Sequence, residues 1–299
     1  MGTPEFAVPS LEILIENNKN VVAVVTTPDK PAGRGLQLYP SPVKVLAEKY
    51  NIPVLQPEKL RDIDFLSALE ALDADLQVVV AFRMLPELVW NMPKIGTFNL
   101  HASLLPQYRG AAPINWAVIN GETETGVSTF FIRHEIDTGN IIFQEKEPIA
   151  ETDTAGTLYE RLMQKGANLV LKTVNAVASG TYPQISQDLT VPTKPAPKIF
   201  METCEINFNQ PTVQVHNFVR GMAPFPAAWT KMNGKLLKIF QTKPVVDEQQ
   251  AETGSTRTDH KTYLHFKTAD AWIAVEELQL EGKKRMKIDE FLRGNRIFQ

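Results

Sequence analysis

Residues 97 to 110, TFNLHASLLPQYRG, contain the first side chains whose types and spacing suit catalysis. Thr97 to Ala102 reads as the end of a buried strand, so Asn99 and His101, two positions apart, leave by one face. An amide and an imidazole side by side can hold negative charge developing on a carbonyl oxygen. The following SLLPQYRG segment breaks at Pro106 and Gly110, which suggests a loop over the strand's carboxyl end, where open α/β sheets place their ligands. Downstream, Phe130 to Asn140 (FFIRHEIDTGN) is a strand running into an Asp-Thr-Gly turn that offers Asp137. A carboxylate there would orient the imidazole and shuttle a proton. An isolated Asn-x-His on a strand is most often structural, because so short a motif proves little. His134, three residues before Asp137, makes no metal site with it: two groups supply neither the ligand number nor the spacing.

The longer string is more specific. Asn99-x-His101-x-Ser103-Leu104-Leu105-Pro106, then Tyr108-Arg109-Gly110, with Asp137-Thr138-Gly139 downstream, resembles the signature of the 10-formyltetrahydrofolate-dependent formyltransferases. That resemblance implies catalysis by Asn99, His101 and Asp137 and folate binding by Ser103, Leu104, Leu105 and Pro106. It also makes Phe82-Arg83-Met84-Leu85, at the end of the strand Leu76 to Phe82, the pterin pocket; read alone, those residues are core followed by a loop proline. The formyl donor it implies is 10-formyltetrahydrofolate, with no metal required.

The elements that must position these groups alternate. A turn at Gly2-Thr3-Pro4-Glu5-Phe6-Ala7 leads into an amphipathic helix with Leu11, Ile13, Leu14 and Ile15 on its apolar face. In the family such a turn follows a short strand, so Met1 is read as an internal methionine with that strand upstream; an intact mass starting at Met1 would remove the idea. Val21 to Thr27 is a buried strand rich in β-branched residues. A helix near Val43 to Tyr50, a strand at Pro53 to Gln56, a helix over Asp64 to Leu72 and the strand Leu76 to Phe82 continue the βαβ pattern. After the catalytic strand come a helix over Ala112 to Asn120, strands over Gly126 to His134 and Ile141 to Ile149, and a long helix over Thr154 to Ser179 opened by Asp153-Thr154. The expectation is a Rossmann-like, mostly parallel sheet domain over residues 1–180.

Residues 181–204 carry prolines at 183, 192, 195 and 197 and read as a linker. Residues 205–299 open with a helix, Thr212 to Met222, and continue as short strands over Ala228 to Met232, Lys235 to Thr242, Thr262 to Lys267 and Ala271 to Gln279. Such strands suggest a small OB-like β-barrel. Its Val219-Arg220 and Pro224 to Trp229 resemble the entry to the second domain in the branch of the family that acts on methionyl initiator tRNA. The PDKPAGRG string followed by SPVK resembles that branch's insertion loop, which enters the tRNA acceptor stem. The resemblance makes Lys30, Arg34 and Lys44 candidate RNA contacts, phosphates first and base edges second. Lys283, Lys284, Arg285 and Lys287 form a further basic cluster able to track a phosphate backbone.

Charge follows the same division. From residue 205 on, 14 Lys and Arg stand against 11 Asp and Glu, a balance of +3; the rest of the chain has 17 against 23, or −6. The overall −3 therefore hides a basic C-terminal third. One cysteine, Cys204, excludes an internal disulfide and fits a reducing cytoplasm. No apolar run approaches the ~20 residues needed to cross a membrane, and MGTPEFAVPS lacks the features of a signal peptide. The expected protein is a cytoplasmic, monomeric enzyme whose partners are folate and initiator methionyl-tRNA. Glycinamide ribonucleotide formyltransferases resemble only the first domain, and sugar-nucleotide formyltransferases do not need the basic loop. A non-catalytic RNA-binding protein or a formate-releasing hydrolase are the competing classes, separable by whether the donor is consumed only when charged tRNA is present.

Overall fold

In the computed structural model, residues 1–32, 37–188, 190–247 and 249–294 are described. In chain order come α1 (Val8–Glu16), β1 (Val24–Val25), β2 (Lys30–Ala32), β3 (Gln37–Tyr39), α2 (Pro42–Lys49), β4 (Val54–Leu55), α3 (Ile63–Glu70), β5 (Leu76–Val80), α4 (Glu87–Trp90) and β6 (Gly96–His101). Then follow α5 (Pro113–Ile119), β7 (Glu124–Phe131), β8 (Ile141–Pro148) and α6 (Ala155–Ala178). The remainder holds α7 (Thr212–Met222), β9 (Ala228–Met232), β10 (Lys235–Val245), β11 (Thr256–Thr258), β12 (Leu264–Lys267), β13 (Trp272–Leu280), β14 (Met286–Lys287) and α8 (Ile288–Gly294).

These elements divide into two units. The first holds Met1–Arg109, Gly126–Glu147 and Tyr159–Pro195; the second holds Gly110–Thr125, Pro148–Leu158 and the described residues from Ala196 on.

In the first unit β1 and β4 pair in parallel, as do β5 and β6, while β7 joins β6 antiparallel and β8 lies next to β7. Met1 and Gly2 occupy the strand position between β1 and β5. The Gly2 amide donates to Val25 O at 3.1 Å, and the Val80 amide donates to Met1 O at 2.9 Å. A side chain at Gly2 would stand 2.6 Å from the Ala7 Cβ and 2.9 Å from Val80 O, so only glycine lets the turn lie this close to β5. The expected strand over Val21 to Thr27 is reduced to Val24–Val25, which are both buried. On one side Val25, Phe65, Leu69, Val79, Leu85 and Val89 form a common core.

Helix α6 begins with a reciprocal cap: the Thr154 amide donates to the Thr157 hydroxyl at 3.0 Å, and the Thr157 amide donates to the Thr154 hydroxyl at 3.2 Å. Further along, a Cβ at Gly166 would be 2.7 Å from a Leu100 methyl, so α6 lies tightly on β6 at that point. The Thr129 and Thr173 hydroxyls, 2.8 Å apart, tie β7 to the same helix. Because strand side chains alternate, Leu100 facing α6 sends Asn99 and His101 to the opposite face.

The second unit is one antiparallel sheet in the order β11-β12-β13-β10-β9, with β14 on β13. Its core joins Val215, Val219 and Met222 of α7 to Leu237, Ile239, Leu264, Ile273 and Leu278. Register shifts in β10 between Ile239 and Gln241 and between Gln241 and Thr242 curl the sheet. The closed barrel expected from the sequence is corrected here to a curled sheet: among the described residues β9 and β11 remain its two edges. Within the polar stretch 28–44, expected as a loop, β2 and β3 pair antiparallel, Lys30 with Tyr39, Pro31 with Leu38 and Ala32 with Gln37, and α2 begins at Pro42.

Candidate active site

Strand β6 ends on His101, which is buried, two residues after a half-buried Asn99. The imidazole is held on both sides. Its Nε2 lies 2.8 Å from Tyr108 O, and a carbonyl only accepts, so Nε2 carries the proton. Its Nδ1 lies 3.9 Å from an Asp137 carboxylate oxygen, with both side chains largely shielded from solvent at 7% and 14% exposure. That separation is an ionic contact and not a hydrogen bond. The Asn99 carboxamide has no partner among the described residues and is half exposed.

Backbone geometry aims these groups. Tyr108 adopts φ +57°, and its amide donates to Lys194 O at 2.7 Å. Asp137 also lies in the left-handed region, at φ +54°, a conformation that Asp tolerates better than most residues. A Cβ on Gly139 would meet Phe131 O at 1.6 Å, so the DTG turn closes onto β7 only with glycine there.

Ser103 is fully buried and donates from Oγ to Gln107 O at 2.6 Å, while its own carbonyl accepts from the Ser128 hydroxyl at 2.6 Å. Leu105 is buried with Phe130 and Ile141, and its carbonyl accepts from Gln144 at 3.0 Å. Ser103 and Leu105 thus shape the loop, whereas Leu104 and Pro106 remain half-buried. In the loop after β5, Phe82 is half-buried and Leu85 buried. Arg83 donates to Glu58 O at 2.9 Å and to Pro57 O, and Met84 is exposed. His134 stays at the surface, 3.3 Å from Glu87 and edge-on to Trp90.

The basic candidates divide. Lys44 donates to Asp29 at 2.6 Å, and Gln56 donates to the other carboxylate oxygen at 2.7 Å, which holds Asp29 below the usual carboxylate range. Lys30 is exposed on β2, and Arg34 lies outside the described residues. In the second unit Lys283, Lys284 and Lys287 are exposed, whereas Arg285 lies over the Phe240 ring at 4.2 Å and pairs with Glu277 at 2.5 Å.

Two partners of the site left no mark in the residue pattern. One is the Tyr108 carbonyl, since backbone atoms carry no residue signature; Tyr108 itself lay within the recognised string. The other is Gln187, in the proline-rich stretch, whose side chain donates to Asp137 O and Gly139 O. Among the described residues no cluster of three metal-ligating side chains occurs, and no helix is long and apolar enough to cross a membrane.

A strand-end amide and imidazole face a carboxylate turn in a chain whose residues 1–174 match the formyl transferase family pattern, followed by the formyl transferase C-terminal domain over 198–296. Fold neighbours agree: a sugar 3N-formyl transferase, WlaRD, crystallised with dTDP and 5-N-formyl-THF, has a TM-score of 0.67 at 21% identity, covering 95% of this chain and 97% of its own. The chain belongs to the methionyl-tRNA formyltransferase family. It is 54% identical over 305 residues to the methionyl-tRNA formyltransferase of Bacteroides thetaiotaomicron, covering 99% of this chain and 95% of that protein. With the methionyl-tRNA formyltransferase of Parabacteroides distasonis it shares 56% identity over 304 residues, or 98% and 94% of the two chains.

Proposed function

We propose that the chain transfers the formyl group of 10-formyltetrahydrofolate to the α-amine of methionine on initiator tRNA, with Asn99, His101 and Asp137 performing the transfer. The observation that carries this reading is the His101 ring, fixed through Nε2–H on Tyr108 O while Nδ1 faces Asp137 beside the unpartnered Asn99 amide. The neutral amine attacks the formyl carbon, and the carbonyl oxygen takes up negative charge. Asn99 N–H and, with the ring as the imidazolium, His101 Nδ1–H hold that oxyanion; at 3.9 Å the Asp137 carboxylate balances the ring's charge without taking a hydrogen bond from Nδ1. Asp137 then takes the proton of the attacking amine and passes it towards N10 as the C–N10 bond breaks. Folate lies along the 82–85 and 103–106 segments, and no metal enters the scheme.

The second unit is the tRNA-binding part, with its curled sheet an OB-like half-barrel. Lys283, Lys284 and Lys287 meet phosphates, together with Lys30 of β2 and with Arg34; Lys44, paired with Asp29, braces the start of β2. The enzyme works as a cytoplasmic monomer, with a catalytic domain over the first 180 residues and an RNA-binding domain from 205 on.

Labelled formyl should pass from 10-formyltetrahydrofolate to methionyl initiator tRNA and not to water. In that assay Asn99→Ala should lose ~10² to 10³ in rate with folate binding little changed, the range for one oxyanion donor. Near-full turnover by the variant would sink the assignment.

A further inference from the structure

We propose that Gln187 is a positioning residue that sets the Asp137 carboxylate relative to His101, an inference that rests on the role given above to Asp137. Gln187 is buried. Both hydrogens of its amide are used, on Asp137 O at 2.8 Å and on Gly139 O at 2.8 Å. Its carbonyl oxygen accepts from Arg109 Nη2 at 2.5 Å. The three partners fix the amide's orientation, since two carbonyls require donors and a guanidinium requires an acceptor. One side chain therefore joins the DTG turn to the loop whose Tyr108 carbonyl holds the imidazole.

The segment that carries Gln187 is itself anchored on the first unit. The Ile141 and Ile185 backbones exchange hydrogen bonds at 2.8 and 2.9 Å. Further along, the Lys194 amide donates to Gln107 Oε1 at 2.9 Å, and Lys194 O accepts from the Tyr108 amide at 2.7 Å. Gln187 thus hangs between two fixed points, over a turn whose Asp137 sits in the left-handed region. Without the two amide donors, the Asp137 and Gly139 carbonyls lose their fixed partner and the turn loses the restraint on the carboxylate's position. A shift of about 1 Å at a catalytic group costs up to ~10² in rate.

The test is a double-mutant cycle on the full chain, with Gln187→Met, which keeps the shape and removes both donors, and Asp137→Ala, alone and combined. Gln187→Glu is the second probe: it is isosteric and keeps an acceptor for Arg109, but turns a carboxylate towards two carbonyls. The readouts are kcat with methionyl-tRNA, the KM values for both substrates, and the melting temperature. The expected result is a fall in kcat of ~10-fold to 10² for Gln187→Met and Gln187→Glu, with both KM values within about two-fold. In the Asp137→Ala background Gln187→Met should then cost less than about two-fold. An equal loss in both backgrounds, or full kcat for both Gln187 variants, would overturn the proposal. If Asp137→Ala alone keeps full activity, the role of Asp137 itself fails, and that result is separate from the Gln187 arm. Should Gln187→Met not fold, the Gln187→Glu arm of the cycle decides alone.

Discussion

Each unit keeps a histidine out of bulk solvent, and what stands beside the ring separates the two. In the first unit His101 ends a strand, with a carboxylate 3.9 Å away and a carbonyl on its other nitrogen. In the second, His216 of α7 meets the Thr242 hydroxyl at 2.9 Å, and burial, with the Arg220 guanidinium nearby, pushes it down to about 4. A carboxylate neighbour favours positive charge on a ring, whereas an arginine neighbour opposes it. The chemistry open to a shielded histidine therefore follows from the sign of its neighbour, and not from its burial.

The largest effect that would break this contrast comes from Gly139→Ala. With its Cβ 1.6 Å from Phe131 O, the DTG turn must move, and activity should fall at least ~10² while the second unit's near-UV signal persists. Retained turnover would mean that the turn's position does not matter. The two histidines themselves give the next test. His101→Ala should lose ~10² or more in kcat with little change in melting temperature, whereas His216→Ala should keep kcat and lose about 1–3 kcal/mol of stability, the range for a buried group left unpaired. Equal behaviour of the two variants would dissolve the distinction.

A smaller effect follows from the His216 pKa. The unfolded chain protonates this ring below about 6.5, and the folded chain only below about 4. The unfolded state therefore binds more protons between those values, and stability falls as pH drops through the window. Denaturant titrations should show a loss from pH 6.5 to 4 that is reduced in His216→Gln; an unchanged slope would place the titration elsewhere. The smallest effect is expected at the second unit's surface. Lys283→Ala with Lys284→Ala should raise the KM for tRNA, reduce the salt dependence of binding by up to about two charges, and leave the melting temperature alone.

Much of the fold was legible because periodicity survives without long-range information. The helix over Thr212 to Met222 and the strand over Ala228 to Met232 match the observed elements residue for residue. The hairpin of β2 and β3 was not legible, since Lys30-Pro31-Ala32 has no alternating apolar pattern and pairs only because Gln37–Tyr39 comes opposite. The short edge strand β11, Thr256–Thr258, was missed for the same reason: it is polar and held by β12 alone. Barrel closure was over-read, because short strands with turns between them specify antiparallel pairing and not whether the two edges meet.

At the candidate site, residue types and spacing alone placed Asn99 and His101 on one strand face and brought Asp137 in from a glycine turn, because strand alternation and turn chemistry are local properties. Tertiary structure alone decided which imidazole nitrogen faces the carboxylate, that Lys44 is engaged by Asp29, and that a proline-rich stretch carries Gln187 back onto the turn. Those outcomes depend on backbone carbonyls, on partners 15 residues apart, as with Lys44 and Asp29, or 50 apart, as with Gln187 and the Asp137 carbonyl, or on a 3.9 Å approach that no pattern of residue types encodes.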